Sequence, residues 1–148
     1  MSTLLSQKPS QSNDHLNQLY ESIKGQTRPT IRAVHFTDPH LDHLYAEGTD
    51  VVCDVGMCCR ATNGIPTEAW RKAPKWGFYT CDMPEIAIRN ALQFIKSDIK
   101  PKLFFWTGDN SPHDIWANNP KEIIDSTIKV TNMIKEELAG EDISYYPI

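Results

Sequence analysis

Polar residues dominate the first thirteen positions, with Ser, Gln and Pro among them, and predict a lead without a core of its own, partly disordered or carrying a short helix. Asn13 or Asp14 can cap a short helix over 15–23, which Gly25 and Pro29 then end. In 31–37, Ile31, Ala33 and His35 alternate with Arg32, Val34 and Phe36, and period-two alternation predicts a first buried strand. On that reading His35 is a packed core histidine. From Asp38 to Pro84 neither the strand nor the helix period is sustained. A stretch of about 45 residues without elements is too long for a plain linker, so it is expected to be functional or covalently stapled.

Periodicity returns at Asp82 and Pro84, which open a helix over 85–97 with Ile88, Ala91, Leu92 and Ile95 at i, i+3, i+4 and i+7. Pro101 stops it. The continuous apolar run at 103–107 fits a strand buried on both faces, and Gly108 ends it. Pro120 opens a further helix over 120–138, with Ile123, Ile124, Thr127, Ile128 and Thr131 along one stripe and Gly140 as its stop. A last strand occupies 143–148. The order strand, long loop, helix, strand, helix, strand implies right-handed crossovers and an α/β fold with parallel strands. Ending on a parallel strand leads to the expectation that these residues form the N-terminal part of something longer. The expected organisation is a lead over 1–30 and a partial α/β domain over 31–148, with a stapled loop at 50–83.

Composition narrows the class. Leu, Ile, Val and Phe make up about 22% of the 148 residues, just above the level at which chains stay disordered. The net charge of −4 and the lack of a basic stripe argue against a nucleic-acid partner. No window approaches the ~18–20 apolar residues of a transmembrane segment. The N-terminus lacks the basic and apolar regions of a secretory signal. All four cysteines (Cys53, Cys58, Cys59 and Cys81) nevertheless fall in one short stretch, which points to an oxidising compartment. Zinc knuckles usually come as two cysteine pairs, whereas here Cys59 follows Cys58 directly and adjacent cysteines chelate one ion poorly. Two disulfides are the favoured reading over zinc.

In open parallel sheets ligands collect at the carboxyl ends of the strands. The first strand is followed by Asp38-Pro39-His40 and the second by Gly108-Asp109-Asn110-Ser111-Pro112-His113-Asp114. Both ends deliver a carboxylate and an imidazole to the same rim. Mixed oxygen and nitrogen donors suit a borderline metal such as zinc, and Asp109 is placed to lie between two cations of the kind that hydrolyse phosphoesters. Each motif alone is more often a solvated turn; their occurrence at successive strand ends raises the metal reading. His113 suits protonation of a leaving alkoxide, with a turn cap as its alternative. His43 either supports the site or sits in a surface turn. Trp106 belongs to the second strand. Trp70, Trp76 and Phe78 either pack the long loop down, which is favoured, or line a lipid-facing entrance.

These strings together resemble the calcineurin-like metallophosphoesterases, and within them the acid sphingomyelinase group. Three segments carry the resemblance: Thr37-Asp38-Pro39-His40-Leu41-Asp42-His43 with Glu47-Gly48-Thr49-Asp50; Cys53-x4-Cys58-Cys59 with Cys81-Asp82-Met83-Pro84; and Trp106-Thr107-Gly108-Asp109-x3-His113-Asp114. The resemblance implies a metallophosphoesterase-type sandwich, with Asp38 and His40 on a first zinc, Asp109 bridging to a second, and His113 serving the departing alcohol. It also implies disulfides Cys53–Cys58 and Cys59–Cys81, and an extracellular or lysosomal location. The implied reaction is hydrolysis of the phosphodiester of sphingomyelin at a membrane surface, giving ceramide and phosphocholine. The adjacent cysteines lean toward sphingomyelinases over their nucleotide-cleaving relatives. The pattern's next motif, Gly-Asn-His, would follow residue 148, and a saposin-like domain would precede residue 1. Asp38, His40 and Asp109 are too few for two zincs, so the chain is expected to be an inactive fragment by itself. The alternatives are an enzyme for nucleotides or other small phosphodiesters, and a non-catalytic remnant.

Overall fold

A computed structural model describes residues 11–25, 29–54, 56–117 and 119–147. The chain divides into two units between Thr30 and Ile31. The first contains helix α1 (Gln11–Ile23), which begins before the predicted cap and so carries Asp14 in its first turn. Leu16, Leu19, Tyr20 and Ile23 recur at helical spacing and are exposed. Residues 1–10 of the expected lead lie outside the described residues.

The second unit is α/β. Strands β1 (Ala33–Phe36), β2 (Leu103–Trp106) and β3 (Ser144–Pro147) form one parallel sheet in the order β1-β2-β3. Helix α2 (Glu85–Phe94) leads from the long loop into β2, and α3 (Pro120–Glu137) links β2 to β3. The register pairs Phe36 with Trp106 and Trp106 with Pro147, so the strands end level and deliver their following loops to one edge.

Helix α3 starts where the sequence says it should. Asn119 accepts hydrogen bonds from the backbone N–H groups of Lys121 and Glu122, and the Glu122 carboxylate accepts the Asn119 N–H in return. Pro120 takes the first helical position, where no N–H is needed. Helix α2 ends in a π-turn over Ile95–Ile99 and a left-handed Lys100, a widening that precedes Pro101.

One core joins the layers: Leu41, Ile88, Leu92, Ile95, Phe104, Val130, Met133, Ile134 and Leu138, flanked by Val34 and Phe36. It corrects four expectations. In β1, Val34 and Phe36 turn to the core, while Ala33 and His35 are exposed and His35 Nε2 lies 2.9 Å from Thr107 Oγ1. His35 is therefore not a core histidine, because the helices cover the opposite face of the strand. In α3 the buried stripe is Ser126, Val130, Met133 and Ile134, and Ile123, Ile124 and Ile128 are exposed. The isoleucines crowd the first half of the helix, but the sheet is met by the second half. Ala91 of α2 is exposed for the same kind of reason, while Ile88, Leu92 and Ile95 are buried. Finally, β2 buries only Phe104; Phe105 faces the other side, where it stacks on Tyr146 of the wholly exposed β3. No described element of this unit covers that face.

The long loop has its own small core of Val51, Cys59 and Ala73, with Tyr45, Cys58, Phe78 and Cys81 against it. Its cysteines pair as Cys53–Cys58 and Cys59–Cys81. Phe78 packs down, but Trp70 and Trp76 do not: they are 70% and 54% exposed, against the packing expected for them. No described helix is long and apolar enough to cross a membrane.

Candidate metal centre

Beyond the strands, the loops after β1 and β2 stay stitched together. Asp38 N–H donates to Gly108 O at 3.1 Å, His40 N–H to Asp109 O at 3.4 Å, and Leu41 N–H to Asn110 O at 2.9 Å. This holds Asp38, His40 and Asp109 side by side, with one donor atom from each within 4.8 Å of the others. His40 Nε2 lies 3.6 Å from Asp109 Oδ2 and 3.9 Å from Asp38 Oδ1.

The backbone marks the same three residues. Asp38, His40 and Asp109 have φ of 51°, 35° and 54°, in the left-handed region that disfavours any side chain but glycine's. Such conformations cost roughly 1–3 kcal/mol each and cluster at functional sites. Glycine would relieve the strain at each position and remove the ligand.

The histidine is oriented from behind. The carbonyl of Ser111 can only accept, so His40 Nδ1–H donates to it at 2.8 Å and Nε2 faces the two carboxylates. Thr37 Oγ1 donates to Asp38 Oδ2. Two exposed carboxylates with a half-buried imidazole between them are a donor set that fits a divalent cation. His43 is exposed in the next turn and is not part of the cluster.

His113 sits directly over the group. Its ring stacks on that of His40 with centroids 3.9 Å apart. Asp82 grips it twice: Oδ2 accepts the His113 N–H and Oδ1 accepts from Nδ1, both at 2.7 Å. The Asp82 side chain is only 9% exposed, whereas that of His113 is 62% exposed, so the imidazole presents Nε2 to solvent. Sequence reading missed Asp82. Its one available signal was its place next to Cys81, whose disulfide anchors it.

Beside the ligands opens a concavity of about 440 Å³ bordered by Asp38, His40, Trp76, Phe78, Tyr79 and Met83, with neither Lys nor Arg in its lining. A more apolar groove of about 400 Å³ lies between α3 and β3, away from these groups and without their chemistry.

Carboxylates and an imidazole gathered at the carboxyl ends of parallel strands, with a second histidine held over them by a carboxylate, make a candidate centre for a divalent cation. No family model matches the chain. The chain is 36% identical over 110 residues to sphingomyelin phosphodiesterase B of Dictyostelium discoideum, covering 73% of the chain and 17% of that protein. It is 32% identical over 117 residues to sphingomyelin phosphodiesterase of Homo sapiens, covering 78% and 18%. To the endopolyphosphatase of Saccharomyces cerevisiae it is 36% identical over 96 residues, covering 61% and 13%. The chain belongs to the acid sphingomyelinase-like group of phosphodiesterases, and it spans less than a fifth of the length of these relatives.

Proposed function

We propose that the protein carrying this chain is a zinc-dependent phosphodiesterase of the metallophosphoesterase fold that cleaves sphingomyelin to ceramide and phosphocholine. The observation that carries the reading is the convergence of Asp38, His40 and Asp109, each on a left-handed backbone, beneath His113. A bound zinc supplies Lewis acidity, polarising the phosphoryl group and acidifying water.

The chain's own residues do the rest. Asp38, His40 and Asp109 would hold the cation, and Asp109 would also serve a second one. Asp82 accepts a hydrogen bond from His113 Nδ1–H, which fixes the ring so that Nε2 can hand a proton to the oxygen of the departing alcohol. As the oxygen of a water molecule bonds to phosphorus, the P–O bond to ceramide breaks, that proton passes to the leaving oxygen, and ceramide leaves as a neutral alcohol with phosphocholine as the other product.

The aromatic lining of Trp76, Phe78 and Tyr79, with neither Lys nor Arg among the described lining residues, supports a diester with an apolar alcohol over a polyanion, whose chain calls for Lys or Arg along its path. The two disulfides support an extracellular or lysosomal location. Hydrolysis assays with the whole protein on sphingomyelin micelles, a nucleotide diester and polyphosphate test the reading. Turnover of sphingomyelin that disappears in Asp109→Ala is expected. Turnover unchanged in that variant overturns the site assignment, and a preference for polyphosphate or the nucleotide overturns the substrate.

A further inference from the structure

We propose that Arg60 is the positioning residue of this centre, a buried cation that clamps the two ligand-bearing loops together; the proposal rests on reading Asp38, His40 and Asp109 as a metal site. The Arg60 side chain is 12% exposed. Its Nε donates to Asp42 Oδ2 and its Nη1 to Asp114 Oδ2, both at 2.8 Å. Asp42 lies two residues beyond His40 on the loop after β1. Asp114 directly follows His113 on the loop after β2.

The position of the clamp matters. The backbone hydrogen bonds that join the two loops run only as far as Leu41 and Asn110; beyond Leu41, Asp42 N–H turns to Met83 O instead. Arg60 supplies a link further out, one residue past Leu41 and four past Asn110, on the side of His113. The arginine is itself braced. Its N–H donates to Asn63 Oδ1 at 2.9 Å, and its neighbour Cys59 is fully buried and bonded to Cys81. Cys81 precedes Asp82, which holds His113. Contacts and chain therefore close a ring through Arg60, Asp114, His113, Asp82 and the Cys59–Cys81 disulfide, with Asp42 joined to it at Arg60.

A stability role alone would not call for this arrangement. Two buried carboxylates face one guanidinium, leaving a net charge of −1 in the cluster, and well-packed apolar residues usually serve stability as well or better. What a rigid charged fork adds is a fixed distance between two chain segments. Asp42 is held at both oxygens, since Oδ1 accepts the Leu44 N–H at 2.9 Å.

Equilibrium zinc titration of the 148-residue chain with both disulfides formed tests the clamp, comparing wild type with Arg60→Met, Arg60→Lys and Asp114→Asn. Leu92→Ala, a fully buried α2 substitution away from the loops, serves as the control for lost stability. The titration is run well below each variant's melting temperature. Zinc affinity at least tenfold weaker in Arg60→Lys and Asp114→Asn, with Leu92→Ala at wild-type affinity, is the expected result. Arg60→Met is expected to be weakest where it folds. Wild-type affinity in the Arg60 and Asp114 variants, or an equal loss in Leu92→Ala, overturns the clamp while leaving the metal centre standing. Failure of all three site variants to fold overturns it too, by making Arg60 a residue of the fold. No zinc binding by the wild type removes the centre and the clamp together.

Discussion

The two disulfides differ in what they hold, and their removal should differ in a calculable way. Cys53–Cys58 closes a sequence separation of 5 and Cys59–Cys81 one of 22. In the chain-entropy account a cross-link stabilises by restricting the unfolded chain, and the effect grows with the logarithm of the loop. It gives about 2 kcal/mol for the short loop and about 3.4 kcal/mol for the long one. The native state adds to the difference. Cys59 is fully buried in the small core of Val51 and Ala73, whereas Cys53 is only half-buried. Replacing Cys59 and Cys81 together by alanine should therefore destabilise the chain by at least ~1 kcal/mol more than the Cys53/Cys58 double substitution. Urea unfolding followed by tryptophan fluorescence measures both, with the slope checked for constancy. Equal costs, or a larger cost for the Cys53/Cys58 pair, would refute the view that the long cross-link is what fastens the loop to the sheet edge.

Two further outcomes follow from the side chains of the second unit. Asp82→Asn should lower sphingomyelin turnover by the whole protein roughly tenfold to a hundredfold, since the His113 ring loses the partner that aims it; an unchanged zinc affinity with lost turnover is the expected pair, and full activity would count against the role of His113. Hydrogen bonds from Lys129 and Arg89 hold Glu85 below the ordinary glutamate value of 4.5, and those from Arg89 and Gln93 do the same for Glu137. A carboxyl whose pKa is lower in the folded chain stabilises it fully above the ordinary value and loses that contribution as the pH falls through the depressed one. The melting temperature should thus fall below about pH 4.5, with a shallower fall in Glu137→Gln; equal slopes in the two proteins would show that this ion pair is not the cause.

How much of this was legible in the sequence depends on what fixes each feature. Helix α2 could be read because Pro84 marks its start and Ile88, Leu92 and Ile95 keep one face, although Asp82, read with Pro84 as its opening, holds His113 and does not cap it. The trio Asp38, His40 and Asp109 was visible because parallel strands must end on one edge, so residue types at successive ends are brought together by topology alone. The phase of β1 and the face of α3 were not, because alternation and helical spacing say that one face is buried but not which. That choice is made by where the neighbouring element lies, and it placed His35 and three isoleucines outside. Arg60 and Asp82 were invisible for another reason. Their partners are 18 to 54 residues away, and no local period marks a side chain whose role is to bridge loops.

Zinc binding to wild type, His40→Ala and Asp109→Ala tests most directly whether Asp38, His40 and Asp109 form one cation site. Stoichiometric binding of one ion by the wild type and loss of that binding in both variants are expected. Binding that survives in both variants would contradict that site, as would a wild-type chain that takes up no ion.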